Sequence, residues 1–168
     1  MPRTLVLLRH AKSGYPAGVR DHDRPLAPRG EHEAVLAGRW LREEGPALDL
    51  ALVSTAERTR QTWGLVSAEL DPSPERRLEP RIYEAHARDL LDVVAGVEDA
   101  VQSVLLVGHN PGLEDLATDL AGSTHGDALT RLRGKFPTSA IAVLQWAGSW
   151  GVVAPGYADL VDFAVPRD

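Results

Sequence analysis

Short, wholly apolar runs alternate along this chain with stretches in which apolar residues recur every three or four positions. "TLVLL" (4 to 8), "LALVS" (50 to 54) and "SVLLVG" (103 to 108) are continuous apolar runs, the pattern of strands covered on both faces. Pro28 suits the first position of a helix, and Gly30, Ala34, Ala37 and Leu41 then recur at helical spacing until Gly45 and Pro46 stop it. A helix after the second run carries Thr59, Trp63, Val66 and Leu70 on one stripe, "RDLLDVVAGV" (88 to 97) reads as another, and a further helix opens at Pro111 with Leu113, Leu116, Ala117 and Leu120 inward. "SAIAVLQW" and "GVVAP", joined by "AGS", predict a hairpin near the end. The Pro-rich "DPSPERRLEP" (71 to 80) predicts a loop. The order β-α-β-α-α-β-α-β-β predicts a three-layer α/β/α sandwich around a mostly parallel central sheet.

Composition narrows the picture. With 168 residues, 43% hydrophobic and 25% charged, the chain suits one core, and a single domain over residues 1–168 is expected. The absence of cysteine removes disulfides and thiolate metal sites. The apolar run Leu5 to Leu8 is too short for a signal-peptide core or a membrane span, so a soluble cytoplasmic protein, monomeric or weakly dimeric, is the expectation. A net charge of −6, with arginines scattered among carboxylates, argues against nucleic acid as a partner. It leaves room for a local basic pocket that takes one small anion.

The candidate chemistry sits where the apolar runs stop. In open parallel sheets, ligands bind beyond the carboxyl ends of the strands, where helix N-termini also point. Three runs end in reactive residues: Arg9 and His10 after the first, "STAERTRQT" after the second, "GHNPG" after the third. Arginines and histidines around one point suit a phosphoryl group, which carries about −1.5 to −2 charge and three acceptor oxygens. An imidazole there can attack phosphorus while the other donors spread over the equatorial oxygens, and neither metal nor cofactor is required.

"LLRHAKS" (7 to 13) resembles the R-H-G/A-x-S signature of the histidine phosphatase superfamily, the phosphoglycerate-mutase-like fold. The "RHAKS" spelling and "DHDRPLAPRG" (21 to 30) resemble its branch of short phosphohistidine phosphatases of the SixA type. "STAERTRQT" is similar to the second-strand motif, with its arginine at Arg58, and "LLVGHNPG" to the second-histidine motif, at His109; "KFPTSA" (135 to 140) and the region of Trp150 also match the branch. The resemblance implies that His10 is a nucleophile forming a phosphohistidine intermediate. It implies that Arg9 and Arg58 clamp phosphate oxygens, that His109 stabilises the transferring group, and that Ser13 adds a hydroxyl contact.

Two departures bear on the substrate. Superfamily members acting on phosphate monoesters carry a glutamate before the aromatic residue of the third motif as general acid. Aligning Tyr83 of "LEPRIYEA" with that aromatic puts Pro80 in its place, with Glu79 and Glu84 flanking as out-of-register candidates. The asparagine expected downstream of the first motif is replaced by Pro16. An alkoxide leaving group needs a proton, a service worth about 10²–10⁴-fold. A ring-protonated phosphohistidine instead releases neutral imidazole, whose conjugate acid has a pKa of about 6.5. The missing acid therefore favours a phosphorylated protein of the histidine-containing phosphotransfer type, with a small phosphorylated molecule or a Ser/Thr phosphate monoester as the alternative.

Taken singly, Arg9 and Arg58 read as surface ion-pair partners and His10 as a structural histidine; the four ordered motifs together reverse that reading. His22, His32, His86 and His125 read as solvated or structural, and Lys12 as a solvated lysine. Two rivals have other chemistry. Asp21, His22 and Asp23 with His10 and His109 compose a ligand set for a metal-dependent hydrolase, and a non-catalytic phosphate-binding module would keep the pocket without turnover.

Overall fold

The computed structural model describes residues 1–168. A seven-stranded sheet runs through it, from strand β1 (Arg3–Arg9) through β2 (Leu50–Val53), β3 (Glu75–Leu78), β4 (Ser103–Gly108), β5 (Ala121–Thr124) and β6 (Ile141–Trp146) to β7 (Ala158–Ala164). The spatial order is β3-β2-β4-β1-β6-β7-β5, and only β6 runs antiparallel to its neighbours.

Side-chain alternation builds a core on each face. Leu5 and Leu7, Leu50 and Leu52, Val104 and Leu106 point to one side, where helices α3 (Ala87–Ala95), α4 (Gly112–Leu120) and α5 (Ala128–Gly134) cover them with Leu90, Val94, Leu113, Leu116 and Leu132. Val6 and Leu8, Ala51 and Val53, Leu105 and Val107 point to the other side, under Ala37 and Leu41 of helix α1 (Pro28–Glu43) and Trp63 and Val66 of α2 (Glu57–Ser67). Both faces of the central strands are dry, which is why they read as unbroken apolar runs.

The predicted class stands, with three corrections in detail. The segment 71 to 80 is not all loop: its "ERRL" is β3, a strand at one edge of the sheet whose side chains are largely exposed. Charged side chains suit an exposed edge, where they discourage pairing with other chains, and they conceal it from a hydrophobicity pattern. The hairpin partner of β6 is β7, not "GVVAP"; that segment forms a short 3-10 turn, Trp150–Val152, with Trp150 buried and its Nε1 donating to the Val101 carbonyl at 2.8 Å. Strand β5 and helix α5 occupy a stretch for which the sequence pattern predicts no element.

Register places the site. Arg9 of β1 stands opposite Gly108 of β4, and Val53 of β2 opposite Val107, so three central strands end level with one another. The backbone continues the ladder one step further: His10 N donates to the Gly108 carbonyl at 3.0 Å and Ser54 N to the Val107 carbonyl at 3.1 Å. His10, Ser54 and His109 thereby leave the sheet side by side.

Candidate active site

The loop after β1 is held from several directions. Ala11 N donates to Thr62 Oγ1 of α2 at 3.0 Å, and Lys12 N to the buried carboxylate of Glu33 on α1 at 3.2 Å. The same carboxylate accepts from Thr138 Oγ1 at 2.9 Å, and Ser139 N donates to the carbonyls of Arg9 and His10 at 3.1 and 3.2 Å. Helix α1 meets this loop at Gly30, where a Cβ would lie 1.9 Å from the Lys12 carbonyl oxygen. Glycine is the only residue that permits this approach.

His10 is 7% exposed, and its Nδ1–H donates to the Ala11 carbonyl at 2.7 Å. That bond fixes the tautomer, leaving Nε2 with its lone pair. Burial, reinforced by the positive charges of Arg58, Arg9 and Arg24, lowers the pKa of His10 to about 4. The ring is therefore neutral and nucleophilic near pH 7.

The ring of His109 lies 5.4 Å from that of His10 between centroids, inclined by 55°. Its Nε2 meets Ser54 Oγ at 2.8 Å, while Ser54 Oγ accepts from Ala56 N at 3.4 Å. Because the Ser54 oxygen already accepts from Ala56 N, we assign its hydroxyl hydrogen to Nε2, which puts the proton of neutral His109 on Nδ1, a buried atom with no partner. Burial, then the nearby His10 and Arg58, lower its pKa to about 3.

Arg58, on the first turn of α2, is buried; its Nη1 and Nη2 donate to the Asp21 carbonyl at 2.8 Å and to Asp21 Oδ2 at 3.2 Å. Arg9 Nη1 donates to the Phe136 carbonyl at 3.0 Å, which Asn110 Nδ2 also reaches. The Nε atoms of both arginines are buried without a partner. Arg60 Nε is likewise orphaned, but its guanidinium is engaged by Glu57. Burial pulls the pKa of Arg9 down, with Arg58 adding to the effect and Glu114 opposing it. Buried donors without acceptors are costly, and a dianion set among Arg9, Arg58 and His109 would relieve all three.

The remaining sequence candidates separate from this cradle. Ser13 is buried, but its Oγ accepts from Arg24 Nη1 at 2.7 Å and makes no hydrogen bond to Arg9, His10, Arg58 or His109. Glu79 turns to Arg81, accepting from its Nη2 at 2.7 Å, and that pairing lowers its pKa, so it is not poised to donate a proton. Glu84 is exposed and makes no hydrogen bond. His22 Nε2 meets Thr55 Oγ1 at 2.9 Å, His32 pairs with Asp168, His86 precedes α3 as its N-cap, and His125 pairs with Asp159. The rival ligand set of Asp21, His22, Asp23, His10 and His109 is not assembled, because no three imidazole or carboxylate groups converge in a metal-binding arrangement. Asp21 is instead the partner of Arg58.

Two side-chain contacts of the site have no signal in the pattern, although Ser54 and Tyr83 both lie in motifs it offers. Ser54 Oγ meets His109 Nε2 across 55 positions of sequence, and Tyr83 donates its hydroxyl to Asp21 Oδ2 at 2.5 Å across 62. Tyr83 also stands edge-on to His22 and His109, with centroids 4.7 and 5.6 Å away.

The sequence profile of the histidine phosphatase superfamily, branch 1, matches residues 5–95. An uncharacterised protein of Mycobacterium tuberculosis is 51% identical over 162 residues, covering 95% of this chain and 100% of its own. The structure assigned as phosphohistidine phosphatase SixA of Nakamurella multipartitia superposes with a TM-score of 0.88 at 36% identity, over 100% of this chain and 98% of that one. The structure given the same assignment in Agrobacterium tumefaciens superposes at 0.82 and 34% identity, over 99% of each chain.

Proposed function

The chain belongs to the histidine phosphatase superfamily, on its SixA-type branch, and is a phosphatase; from that premise we propose that it dephosphorylates phosphohistidine in proteins through a phosphoryl intermediate on His10 Nε2. The observation that carries the reading is the pairing of a neutral, tautomer-fixed His10 with three buried orphan donors, on Arg9, Arg58 and His109. The names of the two SixA structures, at 36% and 34% identity, support the substrate class.

The phosphoryl group enters as a dianion and takes up the free donors of Arg9, Arg58 and His109. His10 Nε2 attacks phosphorus in line; the P–N bond to the substrate ring breaks, and its electron pair returns to that ring nitrogen. A proton already on the other ring nitrogen lets the group leave as neutral imidazole. Donors fixed in a dry site stabilise the charge on the equatorial oxygens without reorganising. Water then attacks phosphorus, the bond to His10 breaks with its electrons returning to Nε2, and phosphate departs. No side-chain acid is needed in the first step, which fits a site where Glu79 is held by Arg81.

The test compares turnover of a phosphohistidine-bearing phosphotransfer domain with that of a panel of phosphate esters. A kcat/KM for phosphohistidine at least about 10²-fold above the esters, the scale of a missing acid's contribution, supports the reading. Equal or greater activity on esters contradicts it.

A further inference from the structure

We infer that Asp21 is the carboxylate that recognises the cationic ring of the phosphohistidine substrate, and that it sets the preference of the site for phosphoramidates over phosphate esters. The inference rests on the proposed phosphohistidine activity and adds the residue that selects it.

Asp21 belongs to a short 3-10 turn, Asp21–Asp23, at the rim of the cradle. Its Oδ2 accepts from Tyr83 Oη at 2.5 Å and Arg58 Nη2 at 3.2 Å, and its Oδ1 from Arg24 Nε at 3.1 Å. A carboxylate offers about four acceptor positions, so one stays open, and the side chain is 56% exposed. Asp21 is also the carboxylate whose charge acts on the His109 ring. Tyr83, beside it, stands between the rings of His22 and His109 and provides an aromatic wall.

A phosphohistidine presented to this rim carries its phosphoryl group into the arginine cradle and a ring N–H beside Asp21. The hydrogen bond holds the proton on the distal nitrogen while the P–N bond breaks, so the electron pair goes to the proximal nitrogen and no proton is transferred. Charge-assisted contacts of this kind are about twice as strong as neutral ones. An ester places a developing oxyanion at the same spot, against a fixed negative charge. Asp21 cannot protonate it, because the Tyr83 hydroxyl and the two arginines keep its pKa near 2. One carboxylate thus favours one leaving group and opposes the other.

The experiment measures kcat/KM for a phosphohistidine peptide and for p-nitrophenyl phosphate with the wild type, Asp21→Asn and Asp21→Glu, and thermal unfolding of each. Asp21→Asn is expected to lower phosphohistidine turnover and raise ester turnover, shifting their ratio by about 10- to 100-fold, the scale of a lost charged hydrogen bond. Asp21→Glu, which keeps the charge, should restore most of the ratio. Equal losses on both substrates would overturn the inference and reduce Asp21 to a strut for Arg58, as would an unaltered ratio. A wild type that does not cleave phosphohistidine overturns the parent proposal, and this inference with it.

Discussion

The His109 ring is fixed at both ends of its role: Nε2 is tied to Ser54 Oγ at 2.8 Å, and the unpartnered Nδ1 is buried in a ring whose centroid stands 5.4 Å from that of His10. A serine at the end of β2 thus holds one ring nitrogen of a histidine at the end of β4 and leaves the other without a partner. Ser54→Ala should lower kcat by about tenfold, the upper scale of a neutral hydrogen bond, with little change in KM. Ser54→Thr, which keeps the hydroxyl, should recover most of it, and steady-state kinetics of the two variants check this.

Removing a donor from the cradle should cost more. Arg58→Ala or His109→Ala is expected to lower kcat/KM by about 10²–10³-fold, the loss typical of deleting one preorganised donor. Both variants should retain the wild-type far-ultraviolet circular dichroism. Arg58→Ala also leaves Arg24 as the one guanidinium on Asp21 and empties the place of the Arg58 guanidinium, so added guanidinium ion is expected to restore part of the activity.

Acid should weaken the fold through the two histidines. Burial depresses His10 to about 4 and His109 to about 3, below the ordinary 6.5 of the unfolded chain. The unfolded state therefore binds more protons than the native state between those values, and stability falls as pH drops below about 6.5. The loss continues until pH passes below the native-state pKa values. Urea denaturation at pH 7.5, 6 and 5 should show this slope, and the double variant His10→Asn/His109→Asn should flatten it.

The close approach at Gly30 gives a structural prediction. Gly30→Ala puts a methyl group against the Lys12 carbonyl, and relieving a 1.9 Å contact must move either α1 or the loop after β1. Destabilisation of about 1–3 kcal/mol is expected, as for overpacking elsewhere. Because the displaced loop carries His10, activity at low temperature should fall as well; chemical denaturation and kinetics on the same sample measure both.

The legible parts of this protein are those written locally. Strands β1, β2 and β4 are apolar on both faces, so each stands out as an uninterrupted run. Arg9 is the last residue of β1, His10, Arg58 and His109 follow strand ends by one to five residues, and the register of three strands brings them together. Strand β3 is charged because it is an edge, and β7, "ADLVDFA", breaks its apolar run with two aspartates. Side-chain pairings such as Asp21 with Arg58 and Tyr83 join segments 37 and 62 residues apart, which no periodicity encodes. The sequence therefore offered Asp21 as a metal ligand and as part of a branch-like stretch, but not as the partner of Arg58 and Tyr83.

The most direct test of the central proposal is a rapid-quench reaction with ³²P-labelled phosphohistidine protein, followed by peptide mapping of the enzyme. The account predicts a transient label on His10 that survives alkali, is lost in acid, and decays at the rate of phosphate release; His10→Ala should carry none and turn nothing over. Full activity in His10→Ala, or a label that maps to another residue, would contradict it.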